Sequence, residues 1–424
     1  MDTNQQQPNR STAPVIFFSA GEPSGDMHGA NLIKSLRKRC PGVQVRGFGG
    51  PKMAGAGCRV DQDLTGIAAM WIVQAVLNIH KFWAAFQLAG KIFREAKPDA
   101  VVLIDFPGFN WWMARRAKKY GVPVFYYAPP QVWAWAQGRV KKMRKFVDHV
   151  LCGLPFEAQW YRERGCNARL VGHPYFDEVT EHQLDQQFLR ELRDDGRPVV
   201  ALLPGSRTQE VHNNFRWIAK AAARVQASRP DARFVVAAFK EEQTAHIGEC
   251  LQAANLAADL VIGKTPEVIH ASDCAISVSG SVSLELMAHT TPTVIIYWVP
   301  RIPYLIQRVL RKVRYITLVN LLSADDAFSG DTRPFDRHQP GAEQVLFPEY
   351  VSCGDPSEEI AWHITQWLND EDARLDRVRR LEQLKEEICH PGAADTAAEY
   401  VLSTLGVDAL VRRTPQPERA PQAA

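Results

Sequence analysis

The chain has 424 residues, 46% hydrophobic and 23% charged, with a net charge of +3. That length exceeds one ordinary domain, and that balance excludes a disordered chain. So small a net charge is no argument for nucleic acid as a partner. The eight cysteines show no CxxC pair and no zinc-finger spacing, which fits reduced, buried thiols in a reducing cytoplasm.

Residues 1–13 are polar and lack the apolar core of a signal peptide, so they read as a disordered N-terminus, as does the tail 406–424. From residue 14, short apolar runs alternate with amphipathic stretches. The runs predict strands at 14–20, 43–48, 99–105, 122–128 and 147–153, then at 198–203, 233–239, 259–262, 272–278 and 292–298. They are continuously apolar, as parallel strands covered on both faces must be. Helices are expected at 26–39, 107–120, 208–228 and 281–290. The polar stretch 172–198 carries two prolines before a fresh apolar run, and reads as a linker. The fold class is therefore α/β: two Rossmann-like, doubly wound domains facing a cleft, at 14–173 and 174–390. The last helices, about 355–390, are candidates to pack back against the first domain.

The window 67–93 is the most hydrophobic, but Gln74, Asn78, His80 and Lys81 interrupt it. It falls short of the roughly 20 apolar residues of a spanning helix and is expected to lie on a membrane rather than cross one. Trp71, Phe82, Trp83 and Phe86 are its aromatic contacts. The runs "GRVKKMRKF" and "RIPYLIQRVLRKVRY" add basic charge, with Arg308, Arg311 and Lys312 interleaved among apolar residues in the second. Each alone is an ordinary solvated face. Together they suit an anionic membrane surface.

In open α/β sheets ligands bind beyond the carboxyl ends of the strands, so the residues after each strand carry the chemistry. After the first comes Gly21-Glu22-Pro23-Ser24-Gly25-Asp26. It is a glycine loop with acids where a phosphate loop has lysine. Ser24 or Asp26 is a candidate helix cap, and the loop is equally a candidate to hold a hydroxyl-rich or phosphorylated ligand. After the third strand, Asp105 is either a cap or a base that takes a proton from an attacking hydroxyl. In the second half, Gly205-Ser206-Arg207 precedes a long helix, with a turn glycine and a guanidinium for an anion. Ser279-Gly280-Ser281 repeats the pattern, and Glu285 lies one turn further, where its carboxylate can accept from ribose hydroxyls. Two such loops in one domain point to a nucleoside diphosphate. His173, His212 and His289 are isolated in sequence, and no metal or other cofactor is expected.

The chain resembles the lipid-A-disaccharide synthases, inverting glycosyltransferases of the GT-B fold. The matching stretches are "SAGEPSGDMHGANLI", "GFGGPKM", "LIDFPGFN", "YYAPPQVWAWAQGRVKKM", "LPFE", "VGHPYFDEV", "LLPGSRTQEV" and "SGSVSLELM", in order from about 15 to 290. The resemblance implies UDP-2,3-diacylglucosamine as donor and 2,3-diacylglucosamine 1-phosphate (lipid X) as acceptor. The products would be a β-1,6-linked disaccharide 1-phosphate and UDP. It further implies Asp105 as general base, and Gly21 to Asp26 on the acceptor side. Gly205, Ser206, Arg207, Gly280, Ser281, Glu285 and Asn320 would hold the donor. Both substrates would be drawn peripherally from the inner face of the inner membrane.

Three positions depart from the family pattern. Trp71 stands where a glycine is usual, Ala136 where an arginine is usual, and the segment after Asn320 is lengthened over about 323–342. The open alternatives are a same-fold enzyme with another lipid acceptor, a UDP-sugar 2-epimerase, and a two-lobed binding protein. A homodimer is also left open.

Overall fold

The computed structural model describes residues 13–65 and 79–407. Trp71, residues 1–12 and the tail from 408 lie outside them. The chain divides into two compact units. The first contains residues up to Pro130, then Arg139–Pro174, and the chain from Gly392. The second contains Gln131–Gly138 and Tyr175–Pro391.

The first unit is built on seven parallel strands: β1 (Val15–Ala20), β2 (Gln44–Gly49), β3 (Arg59–Asp63), β4 (Ala100–Ile104), β5 (Val124–Tyr127), β6 (His149–Cys152) and β7 (Ala168–Leu170). Their order across the sheet is β3-β2-β1-β4-β5-β6-β7. The central strands are buried nearly throughout, which is why they read as continuous apolar runs. β3 and β7 were not expected. They lie at the edges, where "RVDQD" and "ARL" are half-exposed and carry too few apolar residues to signal a strand.

The second unit has six parallel strands: β8 (Val199–Leu203), β9 (Arg233–Ala238), β10 (Asp259–Ile262), β11 (Cys274–Val278), β12 (Thr293–Trp298) and β13 (Glu349–Ser352). They lie in the order β10-β9-β8-β11-β12-β13. β13, another edge strand, was also missed. In each sheet the winding reverses direction once, between β1 and β4 in the first and between β8 and β11 in the second. Register sets those strand ends side by side: Ala20 is opposite Ile104, and Leu203 is opposite Ser277.

The helices at the end of the chain correct one expectation. Ser357–Asn369 and Glu371–Ile388 do not join the first unit. Ile360, Ile364 and Trp367 are part of the second unit's core. The helix that returns to the first unit is the next one, Ala393–Thr404. It lays Ala397, Ala398, Val401 and Leu402 into the core with Leu32, Ile33 and Leu36 of Pro23–Arg39. Arg39 pairs with Glu399 at 3.2 Å on the rim of that contact. The alanines leave a flat face on which two helices can approach closely.

Candidate active site

The first cluster lies at the β1/β4 reversal. The helix Pro23–Arg39 starts three residues earlier than expected, with proline in its first turn and Glu22 in extended backbone at the N-cap. Ser24 and Asp26 are therefore inside the helix, and neither caps it. Asp26 is buried, and its carboxylate accepts from the backbone N–H groups of Gly50 (2.8 Å), Lys52 (2.9 Å) and Met53 (3.0 Å). It ties the first helix to the turn after β2, and so is a support of the loop rather than a ligand contact. Ser24 is exposed and Gly25 is buried beneath it. Gly21 is required by a close approach: a Cβ there would lie 2.2 Å from the Phe106 ring.

That ring belongs to an unusual stretch of backbone. Asp105 and Phe106 are consecutive non-glycine residues in the left-handed region, with φ of 42° and 46°. Such residues cost about 1–3 kcal/mol each and persist only where their surroundings over-determine them. Here the Asp105 carbonyl accepts from Tyr126 Oη at 2.7 Å and from Asn110 Nδ2 at 2.8 Å. Each bond contributes about 1 kcal/mol, so the pair offsets much of one residue's strain. Asn110 is oriented in turn by Ser19, whose hydroxyl donates to its Oδ1 at 2.7 Å. Burial holds the Tyr126 phenol well above its ordinary pKa, so it remains a donor. Phe106 is the N-cap of Pro107–Lys119 and makes no side-chain cap bond. Asp105 is thus not that helix's cap.

The second cluster lies at the β8/β11 reversal. Gly205 has a φ of +96°, which only glycine adopts freely, and turns the chain into Thr208–Ser228. Arg207 stands at the N-cap with its side chain 73% exposed, and donates to Glu210 at 2.9 Å. Arg207 makes no side-chain cap bond to this 21-residue helix, whose dipole favours an anion at that end. Gln243, which sequence reasoning did not single out, braces the loop from below. Its amide nitrogen reaches the Ser206 carbonyl at 3.2 Å, while its oxygen accepts from Phe239 and Lys240.

Across the reversal, Gly280 and Ser281 lead into Val282–Ala288, only seven residues long. That helix is too short for a strong dipole, in contrast to the 21 residues of Thr208–Ser228. Glu285 is buried one turn in and accepts from the Tyr175 hydroxyl at 2.7 Å. Desolvation raises its pKa, and the Tyr175 bond opposes the rise. Tyr175, like Gln243, does not stand out in the sequence.

Three expectations are corrected by what surrounds the side chains. Asn320 is 1% exposed and fully committed. Its Nδ2 donates to the Phe347 carbonyl at 2.7 Å and its Oδ1 accepts from the Phe347 N–H at 2.9 Å. It joins the short helix Leu318–Leu322 to the segment before β13 and presents nothing to a ligand. Glu349, also buried, completes that junction by accepting from the N–H groups of Ile316 and Thr317. Arg311 is likewise buried and donates to the Thr332 carbonyl, so it organises the lengthened loop instead of facing outward. The histidines are not isolated in space. His212 lies with its ring centroid 4.1 Å from that of His246, tilted by 36°, and His289 meets His270 at 3.2 Å. Burial and the charge of His28 push His173 down to about 3. Among the described residues, no group of three or more His, Cys, Asp or Glu is arranged to hold a metal ion.

The apolar surfaces are distinct in each unit. In the first, Phe82 turns inward against Phe106 (6.0 Å) and Phe109 (5.8 Å). Trp83 and Phe86 form an aromatic patch with Trp112, and Arg116 lies 3.8 Å over the Phe86 ring. Trp83 is 61% and Trp112 55% exposed. In the second, Arg301–Leu310 buries none of its residues and exposes Ile302, Leu305, Ile306 and Val309 beside Arg308, with Lys312 exposed just beyond. Among the described residues, no helix is long and apolar enough to cross a membrane.

The family described as lipid-A-disaccharide synthetase matches residues 16–329. The lipid-A-disaccharide synthase of Myxococcus xanthus is 33% identical over 92% of this chain and 98% of its own. That of Trichlorobacter lovleyi is 34% identical over 92% of this chain and 97% of its own. Among solved structures, the UDP-GlcNAc 2-epimerase of Neisseria meningitidis bound to UDP-GlcNAc aligns with a TM-score of 0.55 at 12% identity. It covers 92% of this chain and 98% of its own. Medicago truncatula UGT71G1 complexed with UDP-glucose aligns at 0.57 and 13%, covering 93% and 98%. At such identities these two are similar in fold alone.

Proposed function

Since the chain belongs to the lipid-A-disaccharide synthase family, it is a glycosyltransferase of lipid A disaccharide synthesis with a UDP-sugar donor and a lipid acceptor, and we propose how its residues divide that chemistry. The donor is UDP-2,3-diacylglucosamine and the acceptor is 2,3-diacylglucosamine 1-phosphate. The acceptor's 6-hydroxyl attacks the anomeric carbon opposite the diphosphate; the C–O bond to UDP breaks, and the proton leaves to a base. Asp105 is that base. The observation that carries this is the strained, doubly clamped backbone of Asp105 at the sheet reversal, where ligands bind in this fold class.

Glu22 and Ser24 line the acceptor side, with Gly21, Gly25 and Asp26 shaping the loop beneath them. On the second unit, Arg207 and the N–H groups after Gly205 and Ser206 hold the diphosphate and stabilise the charge that grows on it. Gly280 and Ser281 give the sugar nucleotide room, and Glu285 accepts from the ribose hydroxyls. No metal takes part. Trp83, Phe86 and Trp112 contact the lipid surface, and so do Arg301–Leu310 and Lys312, peripherally at the inner face of the inner membrane. Exposed apolar side chains beside cations support that reading.

A UDP-sugar 2-epimerase is not favoured, because proteins of that activity match in fold at 11–12% identity while the synthases match in sequence over nearly the whole chain. The test offers purified protein the donor with detergent-dispersed lipid X, and UDP-N-acetylglucosamine alone in parallel. Disaccharide 1-phosphate by mass spectrometry, with equimolar UDP, is the expected result. Epimerised sugar nucleotide without disaccharide would overturn the assignment.

A further inference from the structure

We propose that Asn110 and Tyr126 are positioning residues for sugar transfer, acting together through the Asp105 main chain to aim its carboxylate; this rests on the reading of Asp105 as the base. The direction of a side chain from a strand end is set by the backbone φ and ψ of its own residue. At Asp105 the φ of 42° is unfavourable, and an unclamped peptide would relax to the extended form, swinging the carboxylate away.

Four segments converge to prevent this. Asp105 directly follows β4, Tyr126 stands on β5, Ser19 on β1, and Asn110 in the first turn of Pro107–Lys119. Tyr126 Oη and Asn110 Nδ2 occupy the same carbonyl oxygen, at 2.7 and 2.8 Å. The Asn110 amide is also within 3.1 Å of the Ile104 carbonyl and 3.2 Å of that of Ser19, so it measures the position of both strand ends at once. Asn110 and Ser19 are wholly buried, and the Tyr126 side chain is among the largest fully buried in the molecule.

Starting the helix does not require this arrangement. Pro107 already removes one of the first turn's unpartnered N–H groups, and an ordinary Ser or Asp at the cap would serve another without left-handed backbone. What the polar network adds is a fixed conformation at one residue, the one that carries the carboxylate.

The experiment is a double-mutant cycle on the full chain, with donor and lipid X as substrates. Tyr126→Phe removes one hydroxyl and keeps the ring. It is expected to lower kcat about tenfold, with the donor KM and UDP affinity within twofold of wild type. In the Asp105→Asn background the same substitution is expected to change the residual rate by less than twofold, since the group it aims is gone. Ser19→Ala, which frees the Asn110 amide to rotate, is expected to behave alike, and it carries the comparison if Tyr126→Phe does not fold. Equal proportional losses in both backgrounds would mean a merely structural role and overturn the inference. So would wild-type kcat in both Tyr126→Phe and Ser19→Ala with Asp105→Asn inactive. A fully active Asp105→Asn would remove the base, and the positioning role with it.

Discussion

Asp26 and Asp105 are one kind of residue in one kind of place, an acid at a strand-to-helix junction, and they have opposite fates. Asp26 is consumed by three backbone N–H groups, so Asp26→Asn should leave one of those donors without an acceptor. The expected cost is about 1–3 kcal/mol in urea unfolding, with kcat changed far less than by Asp105→Asn. Glu285 yields a signed pH prediction. Burial raises its folded pKa, so the folded state binds that proton more tightly than the unfolded chain. The associated stability is present below the ordinary carboxylate pKa and is lost as pH rises through the raised one. Glu285→Gln is therefore expected to melt no lower than wild type at pH 8, while binding UDP at least tenfold more weakly by calorimetry. A larger loss of melting temperature at pH 8 than at pH 5, or unchanged UDP affinity, would count against that role.

The glycine loops and the long helix after Gly205 were legible because their signals are local: a strand, a turn glycine, then a helical period. Edge strands β3, β7 and β13 were not, since a half-exposed strand of three to five residues carries no apolar run. Tyr126, Asn110, Tyr175 and Gln243 were illegible for another reason. Each is a polar residue inside a regular element, and its partner lies on a different element brought near only by the sheet. The same blindness made Asn320 and Arg311 look available when packing had already claimed them. The terminal helix Ala393–Thr404 is testable as an element. Leu402→Ala removes a fully buried side chain from the first unit's core, and a loss of about 2–5 kcal/mol is expected. UDP binding, which we propose the second unit carries, should survive. The exposed helix Arg301–Leu310 makes a contrasting case. Leu305→Glu with Val309→Glu should leave stability within about 0.5 kcal/mol, since neither side chain is buried, yet reduce co-sedimentation with anionic vesicles.

The chain as a whole repeats one solution twice. Each parallel sheet reverses its winding once, and each reversal gathers a glycine turn, a helix start and a buried polar support. The first unit's version carries acids and a strained aspartate, the second an arginine over a long helix. That asymmetry matches the two needs of an inverting transfer: a base for the incoming hydroxyl and positive potential for the departing diphosphate. The most direct test measures turnover and UDP affinity on one preparation of Asp105→Asn, beside wild type. The expected result is disaccharide formation about 10²–10⁴-fold slower with UDP affinity unchanged. Turnover near the wild-type rate, or turnover and UDP affinity falling together, would contradict the assignment of the base to Asp105.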